Sequence, residues 1–304
     1  MSEPVILDTK MHGRPGLTAA FLVQGEKLAL VETGPKSAAD NVFGELERLG
    51  VDHLDWIIVT HIHLDHAGAA GTLLKRFPSA RVGVHSVGAP HLVDPSKLMK
   101  SAERIYGALM DQLWGGIDPV PQDAIHVIED GDEIDLGGRK LTAVETPGHA
   151  YHHHAYLDDS TGACFTGDAL GVRLPELGVI RPATPPPEFH LEKAVASIRR
   201  IAELGARDLW LTHFGPHDRG PGAESVEQTC EAGIEALHQW EKWVLSARAS
   251  TNDLAEAAEL VRGYAREALE GGLDDEGIAR LEQTTSYSMN TSGYMRYLDK
   301  KEGA

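Results

Sequence analysis

Cysteine is nearly absent from this 304-residue chain: only Cys164 and Cys230 occur, and two distant thiols make no disulfide framework. No run of 18 or more apolar residues occurs either, so no membrane-spanning helix is expected. Cations are scarce: 28 Lys and Arg face 46 Asp and Glu, for a formal net charge of −18. A chain so acidic repels phosphate backbones, and it has no basic patch with interleaved aromatics, so nucleic acid is not an expected partner. The opening Met1-Ser-Glu-Pro-Val-Ile-Leu has neither a basic region nor an apolar signal core, and a cytoplasmic location is expected.

What is present is a hydrophobic fraction of 42 % and 16 histidines. The former suffices for a sizeable core, and the length allows two domains or one large α/β domain with an appendage. Short apolar runs predict strands at 5–8, 18–23, 27–32, 56–60, 81–85, 124–127, 140–145, 155–158, 163–166 and 208–212. Helical spacing marks 38–49, 67–77, 96–113 and 191–204. Beyond Gly215-Pro216-His217 the pattern turns helical, at 224–248, 251–269 and about 285–300. The expected organisation is a catalytic α/β body over 1–222 and a helical extension over 223–304.

The histidines cluster. Thr60-His61-Ile62-His63-Leu64-Asp65-His66 places four metal-capable side chains within six residues, just after an apolar run. Strand alternation would put His61 and His63 on one side to grip one ion, while Asp65 and His66 lie further round the turn and can face a second. Ile62 and Leu64 would turn inward. Three more apolar runs end in ligand-type residues: Thr146-Pro-Gly-His149, Thr166-Gly-Asp168 and Thr212-His213. Open α/β sheets bind ligands beyond the carboxyl ends of their strands, so the four clusters are expected to converge.

The order HxHxDH, TPGH, TGD, TH over residues 1 to about 217 resembles the metallo-β-lactamase fold superfamily. That resemblance implies an αβ/βα four-layer sandwich with a dinuclear site at one edge, here followed by a helical extension. Carried over by position, His61, His63 and His149 would hold the first metal, and Asp65, His66 and His213 the second. Asp168 would bridge the two, and Asp65 would also take a proton from the attacking water. Two divalent ions sharing a hydroxide cleave ester-type bonds, so thioester, lactone, carboxylester and phosphoester substrates all fit. The donor set suits zinc, with iron and manganese as alternatives.

Departures from the pattern narrow the branch. The best-known subclass of true β-lactamases has Cys where Asp168 stands. Acyl-homoserine lactonases carry a Tyr just after the bridging Asp, where Ala169-Leu170-Gly171 follows here. Flavodiiron members replace the second His and add a flavin domain. Glu32-Thr33-Gly34 stands where Asp-Thr-Gly is common, leaving Glu32 to orient a ligand loop. The rival readings are a persulfide dioxygenase using one iron and a non-catalytic binding protein on the same scaffold. His153 and Arg173 are candidates for supporting the ligands or touching substrate, and Tyr106 and Trp114 for lining a pocket. Ile234, Leu237, Trp240 and Trp243–Leu245 give the extension an apolar face. Such a face is expected to pack on the body, and either to cap the cleft or to form a homodimer contact.

Overall fold

The computed structural model describes residues 2–174, 177–217 and 224–303, so the boundary expected at 222/223 lies outside the described residues. The chain divides into two compact units that do not follow chain order: Met1–Glu145 with His154–Phe165, and Thr146–His153 with Thr166–Ala304.

The first unit is built on a six-stranded mixed sheet. Its strands are β1 (Val5–Asp8), β2 (Ala19–Gln24), β3 (Leu28–Val31), β4 (Trp56–Ile58), β5 (Arg81–His85) and β6 (Ile125–Ile128), ordered β1-β2-β3-β4-β5-β6. The first three pair antiparallel, with Phe21 opposite Val31, and the rest pair parallel, with Ile57 opposite Val82. Parallel strands need crossovers. These are α1 (Ala39–Arg48), α2 (Leu64–Ala67) with α3 (Ala70–Arg76), and α4 (Ala89–Val93), α5 (Ser96–Tyr106) and α6 (Met110–Trp114). Val42 and Leu46 of α1 lie one turn apart, so both reach the core formed with Leu22, Leu30, Ile57, Leu73 and Val82. The single helix expected over 96–113 is broken where Gly107 takes φ 52°, a conformation that glycine alone adopts cheaply.

This unit also carries an antiparallel run of β7 (Glu133–Asp135), β8 (Lys140–Glu145), β9 (His154–Asp158) and β10 (Ala163–Gly167), joined in that order. The tip of β10, Thr166-Gly167, already belongs to the second unit. Among these strands Arg139 and Asp158 form a fully buried ion pair, and Arg139 Nη1 also donates to Gln24 O at 2.9 Å.

The second unit holds α7 (Leu191–Ala202), the antiparallel pair β11 (Asp208–Leu211) and β12 (Gly215–Pro216), and the extension. The extension comprises α8 (Val226–Arg248), α9 (Leu254–Ala265) ending in a π turn over Arg266–Glu270, α10 (Asp275–Thr284) and α11 (Tyr287–Glu302). Side chains cap each start: Ser225 and Gln228 form a reciprocal capping box, and Asp253, Asp274 and Ser286 accept from the third residue on. Ile234, Leu237, Trp240, Trp243 and Val244 are buried along α8, whereas Leu245 is exposed. Tyr294 of α11 donates to Leu237 O at 2.6 Å. The fold is an αβ/βα sandwich with a C-terminal helical extension. Among the described residues no helix is long and apolar enough to cross a membrane.

Removing one partner of a buried pair strands the other charge, so Arg139→Leu is expected to cost about 3–5 kcal/mol. Urea unfolding checks this, and a loss below about 1 kcal/mol would mean that Asp158 finds another partner.

Candidate metal centre

In the first unit the donors sit on the loop after β4. The strand ends at Ile58, earlier than expected, so His61 and His63 are paired by the loop rather than by strand alternation. His61 Nε2 lies 2.9 Å from His63 Nδ1. Ile62 and Leu64 are buried and pin the loop. Asp65 and His66 occupy the first turn of α2, with His66 Nε2 3.7 Å from Asp65 Oδ2.

Beneath this loop stands Glu32, fully buried and at φ 68°. Left-handed backbone at a non-glycine residue is strained, and such residues gather at functional sites. Its Oε1 accepts from Thr60 Oγ1 at 2.6 Å and lies 2.9 Å from His66 Nδ1. A carboxylate only accepts, so His66 Nδ1 carries the proton and Nε2 presents a lone pair. The single proton of Thr60 Oγ1 goes to Glu32, so Thr60 accepts from His61 Nδ1, 3.0 Å away. Glu32 therefore sets the tautomer of His66 directly and of His61 through Thr60. Ligand imidazoles are commonly oriented this way.

In the second unit His149 lies on the loop at 146–153. Gly148 before it has φ 140°, and a Cβ there would meet Ala194 N at 2.3 Å, so only glycine lets α7 come this close. His149 Nδ1 donates to Ala183 O at 2.9 Å, leaving Nε2 bare and 3.5 Å from Asp168 Oδ2. The other oxygen, Oδ1, lies 3.5 Å from His213 Nε2. Each oxygen of Asp168 thus faces a different imidazole.

His153 uses both of its nitrogens. Asp168 N donates to Nε2 at 3.1 Å, so Nδ1 holds the proton and donates to Thr146 Oγ1 at 2.8 Å. Its geometry is that of a support for Asp168 and not of a ligand. The Arg173 side chain pairs with Glu224 at 3.0 Å and donates to Thr229 at 3.3 Å, while its backbone N–H donates to His213 O at 2.7 Å. Helix α8 contributes Gly233 and Leu237 to a small cavity shared with His149 and Asp168.

Tyr106 and Trp114 of the first unit lie 5.1 Å apart, centroid to centroid, joined by a residue that the sequence did not flag. His12 sits edge-on to Trp114 at 5.4 Å, at φ 56°. Burial, then the charge of Asp65, pushes the Tyr106 hydroxyl up. Burial holds His12 below the usual imidazole range, with Asp65 opposing it. His12 Nε2 and Trp114 Nε1 are buried without a hydrogen-bond partner among the described residues. A lone histidine in His12-Gly-Arg-Pro-Gly16 has no spacing signal that would single it out.

A family model described as the metallo-beta-lactamase superfamily matches residues 13–213, a span containing all seven candidate ligands. The chain belongs to this superfamily, whose members are mostly hydrolases. The metallo-beta-lactamase fold-containing protein ST1585 of Sulfurisphaera tokodaii is 34% identical over 207 residues, 66% of this chain and 74% of that protein. A crystal structure of ST1585 superposes with a TM-score of 0.67 at 26% identity, covering 92% of this chain and 93% of that one. The atrochrysone carboxyl ACP thioesterase of Aspergillus fumigatus is 26% identical over 233 residues, 76% of this chain and 59% of its own length. A hydroxyacylglutathione hydrolase of Aeromonas salmonicida is 32% identical over 117 residues, 38% of this chain and 34% of its own length. The clustered His and Asp donors are of the type that holds divalent metal ions.

Glu32→Ala frees both His66 and Thr60. Metal affinity, read by chelator competition, is expected to fall about 10–100-fold; wild-type affinity would remove Glu32 from the centre.

Proposed function

We propose that the protein is a dinuclear metal-dependent hydrolase of ester-type bonds in a small molecule. In this reading His61, His63 and His149 hold one ion, Asp65, His66 and His213 the other, and Asp168 bridges them. The observation that carries it is Asp168, whose two oxygens each face a separate imidazole at 3.5 Å. A carboxylate serving one ion needs no such division. Bare imidazole nitrogens and carboxylate oxygens suit zinc, with iron or manganese as alternatives.

When bound, two such ions lower the pKa of a water toward neutrality and polarise the scissile carbonyl or phosphoryl group. The chain supplies the rest. Glu32, Thr60 and Ala183 O keep ligand nitrogens deprotonated on the ion side, and His153 holds the backbone of Asp168. In this reading Asp65 would take a proton; its carboxylate and His63 are half-buried, whereas the other five candidate ligands are buried. Tyr106 and His12, both in the field of Asp65, and the buried Trp114 that each of them contacts are the residues we propose to influence specificity. The thioesterase and the hydroxyacylglutathione hydrolase among the relatives favour thioesters as the first substrates to try. A net charge of −18 argues for a small-molecule substrate over a nucleic acid. The protein is proposed to act as a cytoplasmic homodimer, which sedimentation and fractionation test.

A single-iron persulfide dioxygenase is the second reading; it has no use for Asp65, His66 and His213 as a further ligand set. Metal analysis with a panel of thioesters, lactones, carboxylesters and phosphoesters distinguishes the two. Two ions per chain and chelator-sensitive hydrolysis are expected, both lost in Asp168→Ala. One iron per chain with oxygen uptake on a persulfide would overturn the proposal. Trp114→Ala and Tyr106→Phe are expected to alter substrate preference at unchanged metal content, measured as kcat/KM across the panel. An unaltered preference would leave both residues with packing alone, Trp114 in the core of the first unit and Tyr106 against it.

A further inference from the structure

The tautomer of His149 depends on one carbonyl, that of Ala183, which belongs to no strand. Upstream, Arg181 makes a two-residue bridge with Val172, through hydrogen bonds of 2.8 and 3.0 Å. Pro182 has no N–H to offer. What fixes Ala183 is the helical extension, more than 100 residues further along the chain. Asn290, fully buried on α11, donates from Nδ2 to Pro182 O at 2.7 Å and accepts at Oδ1 from Thr184 N at 2.9 Å. Its amide thus brackets Ala183 from both sides as a neighbouring strand would. Reversing the amide would set donor against donor and acceptor against acceptor, so the orientation is determined. Thr184 Oγ1 donates to the same residue, 3.2 Å from Asn290 O and 3.1 Å from Oδ1, and Thr285 Oγ1 lies 2.9 Å from Asn290 Oδ1.

Two further contacts seat the same segment. The Arg181 guanidinium, fully buried, donates from Nε and Nη2 to Glu270, each at 3.0 Å, and from Nη1 to Glu282 at 2.6 Å and Thr285 O at 2.9 Å. At Gly293 a Cβ would stand 1.7 Å from Thr184 O, so α11 rests its backbone directly on this segment.

We propose that Asn290 is a positioning residue for the metal centre, holding Ala183 O so that His149 presents a bare Nε2 to its ion. The inference rests on the reading of His149 as a ligand. It makes the extension a working part of the centre, beyond any role as cap or interface.

The test measures zinc affinity by chelator competition and the absorption spectrum of the cobalt-loaded protein, each beside the melting temperature without metal. Asn290→Ala is expected to weaken one of the two ions about 10–100-fold while the other keeps its affinity, with a changed cobalt spectrum. Asn290→Asp keeps the acceptor for Thr184 N but loses the donor to Pro182 O, and a smaller shift of the same ion is expected. Val261→Ala, in the buried face of α9, serves as the control: lower melting temperature, wild-type affinity and wild-type spectrum. Equal weakening of both ions in step with stability across all three variants would overturn the inference, as would wild-type affinity in Asn290→Ala. A wild-type protein that takes up no zinc or cobalt would overturn the site itself and this inference with it.

Discussion

A divalent ion binds an imidazole only through a bare nitrogen, and a neutral imidazole has one bare nitrogen, placed by whatever holds the other. Much of the centre is arranged around that requirement. His66 is held by Glu32, His61 by Thr60 under the same carboxylate, and His149 by a backbone carbonyl. His153, with both nitrogens used internally, marks the contrast: the same side chain four residues after the proposed ligand His149 is turned from donor to scaffold by Thr146 and the amide of Asp168.

The two units meet this requirement by different means. In the first, the supports lie 28 to 34 positions away, in the same unit, and are fully buried: Glu32 and Thr33 at the end of β3 hold residues 60–66. Glu32 tolerates a left-handed backbone because its carboxylate is fixed by three donors, Thr60 N, Thr60 Oγ1 and His66 Nδ1. A buried carboxylate without those donors would be costly. In the second unit the support is remote, running from α11 through Asn290 to the segment beside His149.

This difference explains what was legible in the sequence. The seven donor positions stand in short motifs at the ends of apolar runs, and local chemistry of that kind survives in one dimension. Most strands were legible for the same reason, whereas β7, three residues with a single apolar position, carried no alternation to detect. The helix of α10 was unmarked because Asp274-Asp275-Glu-Gly reads as loop until Asp274 is seen capping it. The pattern at 251–269 predicted one regular helix, but its end widens into a π turn at Arg266–Glu270, where buried Glu270 meets Arg181. Asn290 was invisible on similar grounds. An asparagine inside a helix looks only like a weak helix former, and its partners lie more than 100 positions away.

Support by a remote element has a thermodynamic consequence that local support lacks. If packing of α11 on residues 181–184 favours the metal-ready form of His149, then an ion on His149 favours that packing by the same free energy, since coupling is reciprocal. The extension is then stabilised by metal even though none of its residues is a proposed ligand, and its melting depends on free ion concentration. The donors over Glu32 have no such lever, being held by residues of their own sheet. In the proposed centre the two ions would then differ: both draw on the prearranged loop after β4, but only the one that takes His149 also depends on a carbonyl held by α11.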